Sequence, residues 1–286
     1  MAVKWSIALF ASLCCLLFWG CKQATHFQMQ LEHMNELESI IYVEGQAKIL
    51  LLPIQESADE SLLQIESGDG NKIMQTLDVH MAVDSIDYFV PLDLDNYRQG
   101  SGETIMIRMK GLYNNAVTWD AIELVDTFDT TNRETFRPIY HHTPLYGWMN
   151  DANGLVYKDG EYHLYFQYNP YGSVWGNMHW GHSVSKDLMH WEHKAPVIAR
   201  DSLGHIFSGS SVVDVENTAG YGAGAIIAFY TSASEKNGQI QCMAYSKDNG
   251  YTYTKYEKNP ILTPFDGIKD FRDPKVFWYN PEKKWI

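Results

Sequence analysis

Apolar and polar residues alternate in short runs through residues 40–130, with the period of two that buries one face of a β-strand and exposes the other. Turn-forming clusters such as Gly68–Asn71 and Gly100–Gly102 separate these runs. The clearest runs are Ala47–Pro53, Ser61–Ile65, Ser85–Val90 and Thr104–Met109. The pattern predicts a small antiparallel β-sandwich over residues 25–130. A polar stretch without apolar periodicity, residues 126–138, marks its end.

Beyond residue 138 the pattern becomes a repeat. Each copy has a continuous apolar run, a Ser-x-Asp turn followed by an aromatic residue, and a proline before two aliphatic residues. The copies are Tyr162–Tyr168, Ser185–Trp191 and Pro196–Ile198, then Ala225–Tyr230, Ser246–Tyr253 and Pro260–Leu262. A period of about 60 residues with about four strands per copy is typical of β-propeller blades. We therefore predict an all-β chain in which an incomplete β-propeller occupies residues 138–286, with about two blades and the start of a third.

Each predicted blade opens on a short apolar strand beside a polar cluster. These openings are Leu155–Tyr157 after Asp151, Ser211–Val213 after Phe207-Ser208-Gly209, and Val276–Tyr279 after Arg272-Asp273-Pro274. The first strand of each propeller blade lines the central axis, so the polar residues at these openings converge in one funnel. Asp151 and Asp273 are therefore expected to be neighbours in space.

Charge separates the two predicted units and narrows the function. The formal net charge is −13, and residues 25–130 carry 5 Lys and Arg against 19 Asp and Glu, whereas residues 131–286 carry 15 against 16. No basic surface is available to attract a phosphate backbone, so nucleic-acid binding is disfavoured. We expect the substrate of the second unit to be uncharged.

The first residues are typical of an export signal. An apolar run over residues 7–19 follows a basic residue and is shorter than the roughly 20 residues that span a bilayer. Phe18–Cys21 resembles a bacterial lipoprotein signal, which predicts a signal peptide over residues 1–21 and lipidation of Cys21. The chain would then be anchored to the outer membrane or cell surface of a Gram-negative bacterium, with plain secretion as the alternative. Only Cys242 remains in the globular part, so no intramolecular disulfide is expected there.

Two carboxylates in a funnel rich in aromatic residues suit glycoside cleavage, in which one carboxylate attacks the sugar or stabilises positive charge and another donates a proton. Arg272 would hold Asp273 ionised or bind substrate hydroxyls. A simpler interpretation is open for each motif. Residues 150–154 also have the composition of an Asx-rich turn, and Arg272–Pro274 that of a surface ion pair.

Several motifs occur together in an order that identifies a family. They are Trp148–Gly154, Gln167–Pro170, Trp175–Gly176 with His179–His182, Phe207–Ser210 and Phe271–Pro274. With these motifs, residues 141–286 resemble glycoside hydrolase family 32, the β-fructosidases that include invertases, inulinases and levanases. The resemblance implies a five-bladed propeller followed by a β-sandwich, and a retaining reaction on fructans such as levan and inulin, or on sucrose. Residues 25–130 resemble, more weakly, a module that precedes the propeller in surface lipoproteins of gut Bacteroidota.

The resemblance implies a role for each matching residue. Asp151 would be the nucleophile that forms a fructosyl-enzyme intermediate, and Asp273 the transition-state stabiliser. The residues expected to bind the terminal fructose are Asn150, Gln167, Trp175, Phe207, Ser208 and Arg272. No cofactor is implied, and His179 and His182 alternate with Trp180 and Gly181 as in a strand, so we do not expect them to bind a metal.

The sequence departs from the family pattern at two points. Ala152 stands where the family usually has proline, which removes some rigidity from the turn but no reacting group. The family's acid/base glutamate belongs to a motif some tens of residues beyond the Arg-Asp-Pro triplet, and the sequence ends at Ile286. We therefore expect this chain to be the N-terminal portion of a longer enzyme, inactive as a fragment.

The absent acid/base residue leaves a second function open, a non-catalytic surface lipoprotein that binds fructan. A related five-bladed hydrolase for arabinan or xylan would need a different motif around the nucleophile.

Overall fold

The computed structural model describes residues 28–98, 103–131 and 135–286. The predicted signal peptide with Cys21, and the predicted Gly100–Gly102 turn, lie outside these residues. The described part is built from strands, as predicted, with one short α-helix, Thr118–Ala121, and 3-10 turns at Leu94–Tyr97 and Asn280–Glu282. None of its helices has the length and apolar character needed to cross a membrane.

The first eight strands form the N-terminal module, residues 28–125. They are β1 (Gln28–Asn35), β2 (Glu38–Glu44), β3 (Ile49–Ile54), β4 (Ser61–Ser67), β5 (Ile73–Val79), β6 (Tyr88–Asp93), β7 (Ile105–Lys110) and β8 (Glu123–Val125). One sheet has the order β1-β2-β7-β4-β5 and the other the order β6-β3-β8, and all pairs are antiparallel. The strand β5 is therefore a sheet edge.

The period of two seen in the sequence explains the core of this module. In β3, Leu50, Leu52 and Ile54 are fully buried. In β4 the residues that alternate inward are Leu63 and Ile65. Because successive side chains of a strand point to opposite faces, each strand contributes one apolar row, and the rows of both sheets form a single core.

The next eight strands form two four-stranded antiparallel sheets, the predicted blades. The first blade contains β9 (Trp148–Lys158), β10 (Glu161–Asn169), β11 (His179–Ser185) and β12 (Glu192–Ile198). The second contains β13 (His205–Asp214), β14 (Ala225–Ser234), β15 (Gly238–Ser246) and β16 (Thr254–Lys255). In both blades the strands follow one another as a meander, with the first strand at one edge.

The repeated Ser-x-Asp turn has the same geometry in both blades. Ser185 Oγ donates to Asp187 Oδ1 at 3.1 Å, and Ser246 Oγ donates to Asp248 Oδ1 at 2.7 Å. The aspartate in turn accepts backbone N–H groups, from His190 in the first blade and from Thr252 in the second. These bonds, with the His190 N–H the largest cause, hold the pKa of Asp187 well below its usual range. The predicted repeat is thus a structural unit that links the third and fourth strands.

Large aromatic side chains fill the space between the two blades. Tyr165 and Trp180 are fully buried and stack at 5.8 Å, and the Tyr165 hydroxyl donates to the Gly250 carbonyl of the second blade at 2.9 Å. Gly154 lies against this pair with φ of +48°, and a Cβ atom there would stand 2.7 Å from Trp180 and 2.6 Å from Ser211 Oγ. Only glycine fits this position.

The third unit is represented by a two-stranded ladder, β17 (Trp278–Tyr279) with β18 (Lys284–Trp285). Its opening strand begins at Trp278, two residues later than predicted. The predicted openings of the first two blades were too short, because β9 already begins at Trp148 and β13 at His205. Both strands keep pairing with their neighbours across a bulge at these polar residues, so their polarity does not end the strand.

Candidate active site

Asp151 lies on β9, the first strand of the first blade, at an irregular point of the ladder. Phe166 pairs with Ala152 and Tyr168 with Met149, so Asn150 and Asp151 stand opposite the single residue Gln167. Such a two-against-one bulge bends a strand and re-aims its side chains. The Asp151 side chain is exposed, and its Oδ2 accepts a hydrogen bond of 2.8 Å from Ser208 Oγ.

Ser208 lies on β13, the first strand of the second blade, at an equivalent bulge. Ile206 pairs with Ser232 and Gly209 with Tyr230, which leaves Phe207 and Ser208 opposite Thr231. The two blades therefore present their polar residues at matching places on their inner strands. The Ser208–Asp151 hydrogen bond joins these two places directly, across 57 positions of sequence.

Asn153 supports this contact from behind and was not among the predicted site residues. It is 1% exposed. With its amide oriented to match the surrounding donors and acceptors, its nitrogen donates to Ser208 Oγ at 3.1 Å. Its oxygen accepts from Gln167 N at 3.1 Å and Gln167 Nε2 at 2.8 Å, and from Trp180 Nε1 at 3.3 Å. A chain of hydrogen bonds thus runs from Gln167 through Asn153 and Ser208 to Asp151.

Gln167 was predicted to contact fructose, and the structure places it inside this chain with 2% of its surface exposed. Its side chain contacts Asn153 and so reaches Asp151 through two intervening residues. Asn150, also predicted to bind fructose, is half-buried, and its Oδ1 accepts from Trp148 Nε1 at 3.1 Å. The one sequence signal that could have pointed to Asn153 was its position. It is a polar residue two places beyond Asp151, and alternate residues of a strand lie on the same face.

Two predicted aromatic residues meet beside Ser208. The ring of Trp175 lies 5.8 Å from that of Phe207 in an edge-to-face arrangement and 6.0 Å from His205, on which it stacks. Trp175 is 53% exposed, so one face of the indole remains available to solvent. Burial lowers the pKa of His205 to about 4, and the imidazole is neutral at pH 7. These rings form an uncharged aromatic wall next to the Asp151–Ser208 pair.

Asp273 is held in an unusual backbone conformation. Its φ is +62°, a left-handed value that is rare for residues other than glycine and that is found at functional sites when the surroundings enforce it. Its backbone N–H donates to Thr231 Oγ1 at 3.1 Å. Thr231 is the residue opposite the second bulge, so the same irregularity that presents Ser208 also anchors Asp273.

Arg272 forms ion pairs with two carboxylates. Its guanidinium forms its closest ion pair with Asp270, while its Nε lies 3.8 Å from Asp273 Oδ2 and its NH1 3.3 Å from Gln239 Oε1. Asp270 is also the largest cause of the raised pKa of Arg272. Arg272 therefore lies between two exposed carboxylates, with Asp270 the nearer of the two.

The strand β13 brings the segment of Asp273 to the first two blades. Ser210, two residues beyond Ser208, donates to the Pro274 carbonyl at 2.8 Å and accepts from the Val276 N–H at 3.0 Å. Two serines of a single strand thus contact the segments of both predicted carboxylates, Ser208 that of Asp151 and Ser210 that of Asp273.

A cavity of about 860 Å³ lies elsewhere, between the N-terminal module and the first blade. Its lining includes Tyr97, Tyr146 and Tyr168 but none of the predicted site residues.

The described residues also contain no group of three or more His, Cys, Asp and Glu side chains placed to hold a metal ion. His179 and His182 are buried, and His182 stacks on His163 at 5.3 Å. The funnel is therefore the candidate site on its chemistry.

Comparison with known proteins agrees with this geometry. Residues 141–286 match the glycosyl hydrolases family 32 N-terminal domain. The chain belongs to glycosyl hydrolase family 32. Residues 35–140 match a domain of unknown function, DUF4980. The domain boundaries of the sequence analysis stay predictions.

Relatives of this family 32 chain align with slightly more than half of it. The levanase of Bacillus subtilis (strain 168) is 56% identical over 156 residues, which is 54% of this chain and 23% of the levanase. Invertase 2 of Saccharomyces cerevisiae (strain ATCC 204508 / S288c) is 48% identical over 167 residues, which is 54% of this chain and 31% of the invertase. The chain thus spans less than a third of the length of either relative.

Solved structures of the family superpose on the same part. The exo-inulinase from Aspergillus awamori has a TM-score of 0.50 at 40% identity, covering 55% of this chain and 35% of the inulinase. A fructofuranosidase from Schwanniomyces occidentalis, complexed with fructosylnystose, also has a TM-score of 0.50, at 44% identity and covering 56% and 32% of the two chains. The blades described above are therefore an incomplete family 32 propeller.

Proposed function

We propose that this chain carries the nucleophile and the transition-state stabiliser of a retaining β-fructosidase that acts on fructans or sucrose. The observation that carries the proposal is the hydrogen bond between Ser208 Oγ and Asp151 Oδ2 at the bulges of two neighbouring inner strands. Family membership supports it, and so do relatives named levanase, invertase and exo-inulinase.

In this mechanism Asp151 attacks the anomeric carbon of a terminal fructose. Ser208 Oγ donates to Oδ2 and helps to orient the carboxylate for attack through Oδ1. The bond to the leaving oxygen breaks as the fructosyl–Asp151 ester forms, and water later cleaves that ester. Asp273 stabilises the positive charge that develops on the sugar between these states. The leaving oxygen is protonated by a second carboxylic acid, which retaining enzymes place about 5–5.5 Å from the nucleophile.

The aromatic wall and the charge distribution support a sugar as the substrate. One indole face of Trp175 is exposed beside Phe207, and aromatic faces pack on the apolar faces of sugar rings. The part of the chain that holds the site carries nearly equal numbers of acidic and basic residues, which suits an uncharged ligand.

The test replaces Asp151 by asparagine in the full-length protein and measures fructose release from levan, inulin and sucrose. We expect a loss of three orders of magnitude or more, because the amide cannot form the ester intermediate. The matched control is Asp266→Asn, an exposed carboxylate of the same unit, with unchanged release. Near-normal turnover in Asp151→Asn would refute the assignment. Saturable fructan binding without turnover in the unaltered protein would favour the binding function instead.

We further propose that Cys21 is lipidated and anchors the protein to the outer membrane or cell surface. The support is the signal-like composition of residues 1–21. Labelling with a radioactive fatty acid tests this proposal, with Cys21→Ser as the control. Equal labelling of both proteins would contradict it.

A further inference from the structure

The loop of residues 170–177 joins β10 to β11 and carries Trp175, the exposed aromatic residue of the candidate site. We call it the Trp175 loop. It belongs to the propeller by sequence, yet three of its residues are fixed by the N-terminal module. One of the three contacts is apolar and the other two are made by hydrogen bonds.

The first contact is apolar. Tyr171 is buried in the core of the N-terminal module, together with residues such as Leu92 and Leu94. Burial raises the pKa of the Tyr171 hydroxyl, and it raises the pKa of Tyr97 in the module to about 12. The beginning of the loop is thus part of the module's core.

The second contact is polar and lies two residues further on. Glu56 Oε1 accepts from both the backbone N–H of Ser173, at 2.8 Å, and the Ser173 hydroxyl, at 2.7 Å. The Tyr88 hydroxyl accepts from the same N–H at 2.9 Å. Glu56 follows β3 and Tyr88 begins β6, so paired strands of one sheet hold Ser173.

The third contact is made at a sheet edge. The Asn177 side chain accepts from the backbone N–H of Asp78 on β5 at 3.0 Å and donates to the Asp78 carbonyl. An edge strand leaves such groups unpaired, and here one amide side chain pairs with both. Arg200 of the propeller adds an ion pair to Asp78 Oδ2 at 2.7 Å and a bond to Asn177 Oδ1 at 2.8 Å.

Trp175 stands between the second and third of these contacts. Its own side chain leans on His205 and Phe207, and Phe207 immediately precedes Ser208, the partner of Asp151. Asn169, the last residue of β10, donates from Nδ2 to the Val174 carbonyl at 3.0 Å, which closes the turn before Trp175. The position of the indole is therefore set by the module on one side and by the second blade on the other.

We propose that the N-terminal module acts as a clamp on the Trp175 loop and that Glu56 is a positioning residue for sugar binding by Trp175. The role of Trp175 toward sugar rests on the function proposed above, whereas the clamp rests on the contacts alone. The match to family 32 begins at residue 141, so Glu56, Tyr88 and Asp78 come from the part of the chain outside that match. The module, matched to a domain of unknown function, thereby takes a part in shaping the active site.

The test compares the chain with Glu56→Ala, Glu56→Gln and the control Glu44→Ala, which removes an exposed carboxylate of the same module. Hydrogen exchange of the peptide that covers residues 171–177 reports the clamp without any sugar. We expect exchange about tenfold faster or more in Glu56→Ala, because a hydrogen bond to a charged acceptor is lost. Glu56→Gln keeps an acceptor oxygen and should be intermediate, and Glu44→Ala should match the unaltered chain.

Two further readouts separate positioning from general loosening. The fluorescence of Trp175 is obtained as the difference between each protein and its Trp175→Phe counterpart. Acrylamide should quench this fluorescence more strongly in Glu56→Ala than in the unaltered chain. The dissociation constant for levan oligosaccharides should rise about tenfold, with the exchange of β9 and β10 unchanged. Unaltered loop exchange and Trp175 emission in Glu56→Ala would overturn the clamp, and unaltered sugar affinity despite a loosened loop would overturn the positioning role. Failure of the unaltered chain to bind sugar would count against the proposed function, while exchange and emission would still decide the clamp.

Discussion

Asn153→Ala tests the hydrogen-bond chain behind Asp151. The substitution removes the oxygen that accepts hydrogen bonds from Gln167 N and Gln167 Nε2. Both donors are buried, because Gln167 is only 2% exposed. Trp180 Nε1 keeps a second acceptor, the Phe207 carbonyl at 3.0 Å, and so is not left without a partner. A buried donor that loses its acceptor costs about 1–3 kcal/mol, so with two such donors we expect the free energy of unfolding to fall by about 2–6 kcal/mol. The matched change Ser208→Ala, at a half-buried site, should cost about 1 kcal/mol or less.

Urea unfolding followed by near-ultraviolet circular dichroism measures these changes through the transition midpoint at constant slope. In the full-length protein, both variants should also slow fructose release, since both leave Asp151 Oδ2 without its ordered donor. A loss of less than about 1 kcal/mol in Asn153→Ala would show that the buried donors find other partners, and the hydrogen-bond chain would then be refuted. Slower turnover in Ser208→Ala at nearly unchanged stability would separate the catalytic contact from the structural one.

Two other predictions concern pH and backbone space. Burial lowers the pKa of His142 and His205 to about 4 and of His179 and His182 to about 3, from 6.5, so the unfolded chain takes up protons first. The contribution of these histidines to stability should therefore be full above pH 6.5 and fall as the pH drops toward 4, which urea midpoints measure. His205→Phe should flatten this pH dependence, whereas His190→Gln, a change at an exposed site, should not. Gly154→Ala should lower the free energy of unfolding by more than about 2 kcal/mol, because the added Cβ would overlap Trp180. Gly220→Ala, at φ of +81° with open space around it, should lower it by about 1 kcal/mol. Equal shifts in melting temperature would contradict this reason.

Local residue patterns were enough to predict the class of fold. The alternation in β3 and β4 and the repeated Ser-x-Asp turns report interactions between near neighbours in the chain, which a sequence displays directly. The lengths of β9 and β13 were underestimated for the converse reason. Their polar ends stay paired across bulges, and no local pattern distinguishes such a strand from a loop.

The site divides in the same way. Asp151, Ser208 and Asp273 could be named from motifs, because their side chains are the chemistry that the motif preserves. Their support could not be named. Asn153 supports Ser208 only because β9 and β13 come together in the fold, and the backbone of Asp273 is held by Thr231, 42 positions away.

The sequence by itself determined the all-β fold class and the repeat of this family 32 chain, since each depends on residues close together in the chain. Tertiary structure alone decided which residues support Asp151, Ser208 and Asp273. Glu56 and Ser173 are 117 positions apart, and Asp78 and Asn177 are 99 apart. Contacts over such separations depend on how whole sheets pack, so the connection between the N-terminal module and the Trp175 loop becomes visible only in the folded molecule.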